Sequence, residues 1–133
     1  MTKGLTPTQR TLAALRQRGL TADIVERWLQ YAGPHGVRKD LFGIIDIIAL
    51  DLERGVVGVQ SCGQDWSSHW RKLVVEQSEA TERWLMTPGT KLELWGWRKV
   101  KLHRGGVAMR WSPRVQQITL ADLDAAELNE VAL

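Results

Sequence analysis

Two apolar runs separated by a short polar loop constrain this chain more than any other feature. The first, Leu41-Phe-Gly-Ile-Ile-Asp-Ile-Ile-Ala-Leu50, carries a single charge, Asp46; the second is Val56-Val-Gly-Val-Gln60. Between them lies Asp51-Leu-Glu-Arg-Gly55. Apolar runs of this length bounded by turn residues read as buried strands, and so short a link predicts an antiparallel hairpin. A hairpin symmetric about Glu53 sets Asp46 opposite Gln60, with Cβ atoms about 4.5–5.5 Å apart. A carboxylate in a buried strand costs several kcal/mol unless it is hydrogen-bonded, ion-paired or bound to a metal. Two oxygens at that spacing suit one hard cation. The pair therefore predicts a metal site on a strand pair, a chemistry that serves phosphodiester hydrolysis. The plainer reading makes Asp46 a structural acceptor for Arg38 or Lys39.

Alternation along the second strand puts Gly58, Gln60 and Cys62 on the face shared with Asp46. Gly58 would leave room for a phosphate, and Gln60 would offer a neutral carbonyl oxygen to Mg²⁺. Glu26, on the helix before the sheet, would add a carboxylate or orient a water.

The rest of the chain reads as one domain over residues 1–133. Thr6-Pro-Thr-Gln9 is a capping box with proline in the first turn, opening a helix that carries Leu12 and Leu15 inward and stops at Gly19. Thr21 would cap a second helix whose stripe is Ile24, Val25, Trp28, Leu29 and Ala32. A long helix is predicted from about Asp65 to Met86, with Trp66, Trp70, Leu73, Val74, Gln77 and Trp84 on it. Lys91-Leu-Glu-Leu-Trp-Gly-Trp-Arg98 alternates as a strand, and Met109–Thr119 is an edge strand or strand pair because Pro113 cannot donate to a ladder. Residues 121–133 form an acidic tail, a short helix or a frayed end. The order α-α-β-β-α-β-β makes an α/β sandwich.

Apolar content of 44% and charged content of 25% are ordinary globular values. No apolar run is long enough to span a membrane. The start, Met1-Thr-Lys-Gly, leads directly into a capped helix, so no signal peptide is expected. The single cysteine, Cys62, forms no internal disulfide and suits a reducing cytoplasm.

The net charge of +3 understates a basic flank. Between Lys91 and Arg114 the only acid is Glu93, whereas after Leu120 the charges are Asp122, Asp124, Glu127 and Glu130. A basic flank suits a polyanion such as DNA or RNA. The stretch Arg98-Lys-Val-Lys-Leu-His-Arg-Gly-Gly106 reads as a flexible loop whose Arg98, Lys99, Lys101 and Arg104 could track a phosphate backbone. Arg38, Arg71 and Lys72 would add to that surface.

Arg38-Lys-Asp-Leu-Phe-Gly-Ile-Ile-Asp46, the hairpin, and Gly58-Val-Gln-Ser-Cys62 together resemble the PD-(D/E)XK nuclease superfamily. The likeness covers roughly residues 23–84 and is greatest to short phage-borne members and archaeal-type Holliday junction resolvases. It implies a restriction-endonuclease-like α-β-β-α-β core with a central mixed sheet flanked by helices. It also implies Asp46 as the metal-binding aspartate, Gln60 at the glutamate position, and Glu26 as the helix glutamate. The lysine position is held by Cys62, so Lys39 or Lys72 would have to reach in from a neighbouring element. The activity implied is a Mg²⁺-dependent DNA endonuclease, with Mn²⁺ as a substitute, acting on branched DNA as a homodimer in a bacterial or phage-infected cytoplasm. Two other readings stand beside it: a nuclease fold that has lost its chemistry and binds DNA or a protein, and an inhibitor that docks a host protein through its tryptophans.

Cys62 has no histidine near it in sequence and reads as a small filler rather than a nucleophile. His35, His69 and His103 lack ligand spacing and read as surface or phosphate-facing groups. Seven tryptophans beside one Phe and one Tyr suit either a sheet–helix core or base stacking; Trp66 pairs with Trp70 one helical turn away, and Trp95 with Trp97 along a strand.

Overall fold

A computed structural model describes residues 4–131; the expectations that concern the first three and last two residues lie outside the described residues. A five-stranded mixed sheet, flanked by helices on both faces, organises the chain. Its order is β1 (Thr21–Ile24), β4 (Ile47–Asp51), β5 (Gly55–Cys62), β6 (Thr90–Lys101), β7 (Met109–Ile118). Every neighbouring pair is antiparallel except β5–β6. Strands β2 (Arg27–Leu29) and β3 (Val37–Lys39) form a separate two-stranded ribbon.

The helices lie where the burial pattern demands them. Helix α1 (Pro7–Gln17) opens with the predicted reciprocal cap between Thr6 and Gln9. It covers one sheet face, where Leu15 packs with Ala22, Ile47, Ala49, Val57, Val59, Trp95 and Trp97. The parallel β5–β6 step needs a helical crossover, made by α2 (Trp66–Arg71), a π-helical turn at Lys72–Glu76, and α3 (Ser78–Met86). These elements and α4 (Leu120–Val131) cover the other face, over Ile44, Ile45, Leu73, Leu92, Leu94, Ile118 and Leu123. With both faces covered, β5 is buried at every position from Val57 to Cys62.

The hairpin has the register expected from its symmetry: Ile47 pairs with Val59 and Asp51 with Gly55. The first apolar run, however, is a strand only from Ile47. Upstream it folds into a tight turn, with Leu41 bridged to Ile45 and positive φ at Phe42 (56°) and Gly43 (76°). Three further expectations are corrected. Residues 21–32 form strands β1 and β2, not a second helix. Thr21, Ile24 and Val25 are β-branched, and pairing with β4 buries Ala22 and satisfies the backbone, which outweighs a helical stripe. Glu26 therefore sits in the link between two strands. The long helix is broken at Gln77, where the backbone N–H bonds Lys72 five residues back. Arg98–Lys101 belongs to β6 rather than to a loop. Of the two forms expected for the acidic tail, the helix is the one found, through Val131. No helix among the described residues is long and apolar enough to cross a membrane.

Candidate active site

The site forms where β4 begins and β5 ends. Asp46 lies one position beyond the last ladder pair, and its backbone is fastened on both sides. Its N–H donates to Val59 O at 2.8 Å, and its carbonyl accepts from Val25 N at 2.8 Å and Glu26 N at 3.3 Å. That second contact draws Glu26 beside Asp46 without a helix. The tight turn at Leu41–Ile45 brings Asp40 back to the same place. Glu26, Asp40 and Asp46 each present an oxygen within 4.8 Å of the others.

These carboxylates open into a cleft of about 570 Å³ whose wall also includes Arg38, Lys39, Gln60, His69 and Lys72. Asp46 is 4% exposed, and its Oδ2 accepts from Ser61 N at 2.8 Å. Burial first, then the neighbouring Asp40 carboxylate, pushes the Asp46 carboxyl up to about 9. Burial acts on Asp40 in the same sense, yet hydrogen bonds from Asp46, Lys72 and Gln60 outweigh it and hold Asp40 below its ordinary value. The opposed shifts favour holding one proton on Asp46, the arrangement expected when like charges crowd a low-dielectric site. A set of hard oxygens with one displaceable proton fits a divalent cation.

Gln60 and Lys72 complete the network. The Gln60 amide donates to Asp40 Oδ2 at 3.1 Å and Ile44 O at 2.9 Å, and its Oε1 accepts from Lys72 Nζ at 3.1 Å. Lys72 Nζ also lies 2.6 Å from Asp40 Oδ2. Lys72 begins the π-helical turn, and its carbonyl accepts the five-residue bond from Gln77 N. His69 joins through Nδ1, 3.1 Å from Gln60 Oε1, with Nε2 3.0 Å from Asp65 Oδ2.

Asp40 and His69 are the members that sequence reasoning missed. Asp40 stands at the mouth of the turn marked by Gly43, so its return toward Asp46 had a local signal; His69 had none. Of the three histidines, His69 lines the cleft. Lys39 and Arg38 line the cleft rim, Arg38 reaching Glu26 at 3.7 Å. Gly58 does not leave phosphate space: a Cβ there would meet Ile45 Cδ1 at 2.7 Å and Trp84 Cζ2 at 3.0 Å. Cys62 is buried in the core, and burial pushes its thiol up to about 11, far from a nucleophilic thiolate.

Of the expected backbone-tracking residues, Lys72 is inside the cleft and Arg71 is bound to Glu130 at 2.6 Å. Arg98, Lys99, Lys101 and Arg104 lie together on the exposed end of β6 and its turn. The tryptophans divide in the same way: Trp95 and Trp97 are core, Trp66 and Trp70 stack at 6.4 Å on α2, and Trp28 and Trp111 are exposed. Compared with family models, curated proteins and solved structures, the chain matches none of them.

Proposed function

We propose that this chain is a metal-dependent endodeoxyribonuclease of the PD-(D/E)XK type, with its catalytic centre at Asp46, Asp40 and Glu26. The observation that carries the reading is the convergence of three carboxylates and one lysine in an open cleft at the end of two paired strands. Asp46, Asp40 and Glu26 would hold Mg²⁺ or Mn²⁺, with Gln60 orienting Asp40 through its amide. The chemistry such an ion supplies when bound is Lewis acidity toward water and phosphate oxygen. Ser61 N–H fixes the rotamer of Asp46, and burial on the hairpin keeps the carboxyl from turning away. Lys72 brings from the helix the positive charge that Cys62 does not supply on the strand. Its ammonium, now shared between Asp40 and Gln60, would face a phosphate oxygen entering the cleft.

The test is cleavage of duplex, single-stranded and four-way-junction DNA with Mg²⁺, Mn²⁺ or EDTA, beside Asp46→Asn. Metal-dependent cutting lost in the variant is the expected result, and preference for the junction would mark a dimeric resolvase. A second reading has its own support. Lys72 neutralises Asp40 and the Gln60 carbonyl is already engaged, as in a site that has become a structural network. Binding without cutting under every metal would establish that non-catalytic module instead.

A further inference from the structure

Two ribbons leave the sheet at the end that holds the cleft. Ile24, the last residue of β1, pairs with Ile47 at the start of β4, and the chain continues from there into β2–β3. On the other side of the cleft, β5 ends with Cys62 opposite Gly96, but β6 runs on to Lys101 with only β7 beside it. That overhang of five residues is about 17 Å long at ~3.3 Å per residue. From Arg98 to Trp111 every residue but Val100 and Gly106 is exposed. The ribbons spring from opposite margins of a five-stranded sheet, about 19 Å apart at ~4.8 Å per strand. Asp46 and Gln60 lie between them.

Their charge is one-sided. Arg27, Arg38 and Lys39 lie on the first ribbon; Arg98, Lys99, Lys101, Arg104, Arg110 and Arg114 lie on the second. That is half of the chain's 18 Lys and Arg, with no acid from 27 to 39 or from 98 to 114. Elsewhere Arg16, Arg54, Arg71, Lys72 and Arg83 each have a carboxylate partner. Among the described residues, the ribbon cations make one ion pair, Arg38 to Glu26 at 3.7 Å. Uncompensated positive charge on both sides of a cleft is suited to a polyanion that crosses it.

The aromatics decide its form. Trp111 is flanked by the Arg10 guanidinium at 4.1 Å and the Lys99 ammonium at 5.3 Å, and Arg114 lies over Trp66 at 4.0 Å. Trp28 packs so closely on Gly36 that a Cβ there would fall 2.4 Å from its ring. Trp28 and Trp111 keep partly exposed rings, yet each is engaged by a cation or by its own ribbon, whereas a single-strand site needs open aromatic faces for its bases. Phosphate contact alone needs none, and a two-stranded ribbon fits a duplex major groove. We propose that the β2–β3 and β6–β7 ribbons are paired arms that hold double-stranded DNA across the cleft. The cleft's service as a nuclease site rests on the preceding proposal; the grip does not.

The experiment separates the two. Binding of a labelled 25-base-pair duplex and of its single strand to full-length Asp46→Asn protein is followed by anisotropy in EDTA, from 50 to 250 mM salt. Duplex should bind more tightly than the strand, with a log–log salt slope of about −3.6 or steeper, equivalent to about four phosphate contacts at ~0.9 each. Lys99→Ala/Lys101→Ala/Arg110→Ala should flatten that slope by up to about 2.7, and Arg27→Ala/Lys39→Ala by up to about 1.8. Each set should weaken binding tenfold or more at 100 mM salt, with the melting temperature retained. Tighter strand binding, a shallower parent slope, or indifference to either set overturns the proposal. If a multiple variant does not fold, the parent's slope and duplex preference decide alone. Ribbon-dependent binding without cleavage by the unsubstituted protein would sink the nuclease reading and leave the arms; cleavage indifferent to the ribbons would do the reverse.

Discussion

Asp46→Asn should make the ion-free protein more stable at neutral and alkaline pH, even as it removes a proposed metal ligand. In the folded chain the Asp46 carboxyl is pushed up to about 9 by burial and by Asp40. In the unfolded chain it returns to about 3.9. Because its folded value is the raised one, its stabilising contribution is whole below about pH 4 and is lost as pH climbs toward 9. Asp40, held low, is ionised in both states above pH 5 and adds no slope there. Between pH 5 and 8 the folded state therefore keeps one proton that the unfolded state has lost, at ~1.36 kcal/mol per pH unit. Three units give an upper figure of roughly 4 kcal/mol, and the openness of the cleft to water reduces it to about 2–4. Asparagine reproduces the protonated acid: its oxygen can accept from Ser61 N and its amide can donate to Asp40. Chemical denaturation of both proteins in EDTA at pH 5, 6, 7 and 8 measures the difference. It should widen with pH in favour of the asparagine variant and close toward pH 4. A difference that stays flat, or a variant less stable at pH 8, would refute a protonated Asp46 at the site.

Three other perturbations test separate parts of the structure. Thr11→Val leaves the Ser61 hydroxyl and the Trp97 indole N–H without their buried partner at 2.9 and 2.8 Å; a loss of about 2–4 kcal/mol is expected in urea denaturation. Gly58→Ala drives a methyl into Ile45 and Trp84 and should cost about 1–3 kcal/mol, read as a lower melting temperature. Lys72→Met should lower metal-dependent cleavage at least 100-fold while duplex affinity in EDTA changes less than threefold, in keeping with a lost electrostatic contact to the reacting phosphate.

The hairpin and the first helix were legible because their signals are local: a symmetric loop, two apolar runs, and a cap whose two partners lie three residues apart. The failure at residues 21–32 has a different origin. Ile24, Val25, Trp28 and Leu29 satisfy a helical stripe, yet β-branched Ile24 and Val25 and aromatic Trp28 also suit strands, and the choice falls to partners distant in sequence: β4, more than twenty residues away, for Ile24, and β3 for Trp28 and Leu29. Asp46 stood out because a charge in an apolar run is costly anywhere. Asp40 and His69 did not, since what makes them cleft residues is a positive-φ turn in one case and a crossover helix in the other. The π-helical turn that aims Lys72 is invisible to a periodic reading, for one inserted residue leaves the apolar spacing on either side intact. The two basic ribbons were half legible: their charge is in the composition, but that they leave from one end of the sheet follows only from the strand order.

The contacts of Thr11 also bear on the sequence of events by which the chain acquires its shape. Its hydroxyl joins Ser61, fifty positions on, and Trp97, eighty-six positions on. A ribosome releases residue 11 long before either partner, so α1 is not fully locked in place until β6 has emerged. Until β6 has emerged, its inner stripe has no completed sheet to lie on, and long-range closures of this kind are slow. Thr6, Pro7 and Thr8, at the start of the same helix, line the cleft, so that wall is set only when the sheet beside it is finished. The cleft thus takes its final form only after most of the described residues have been synthesised, a built-in delay between translation and the finished shape.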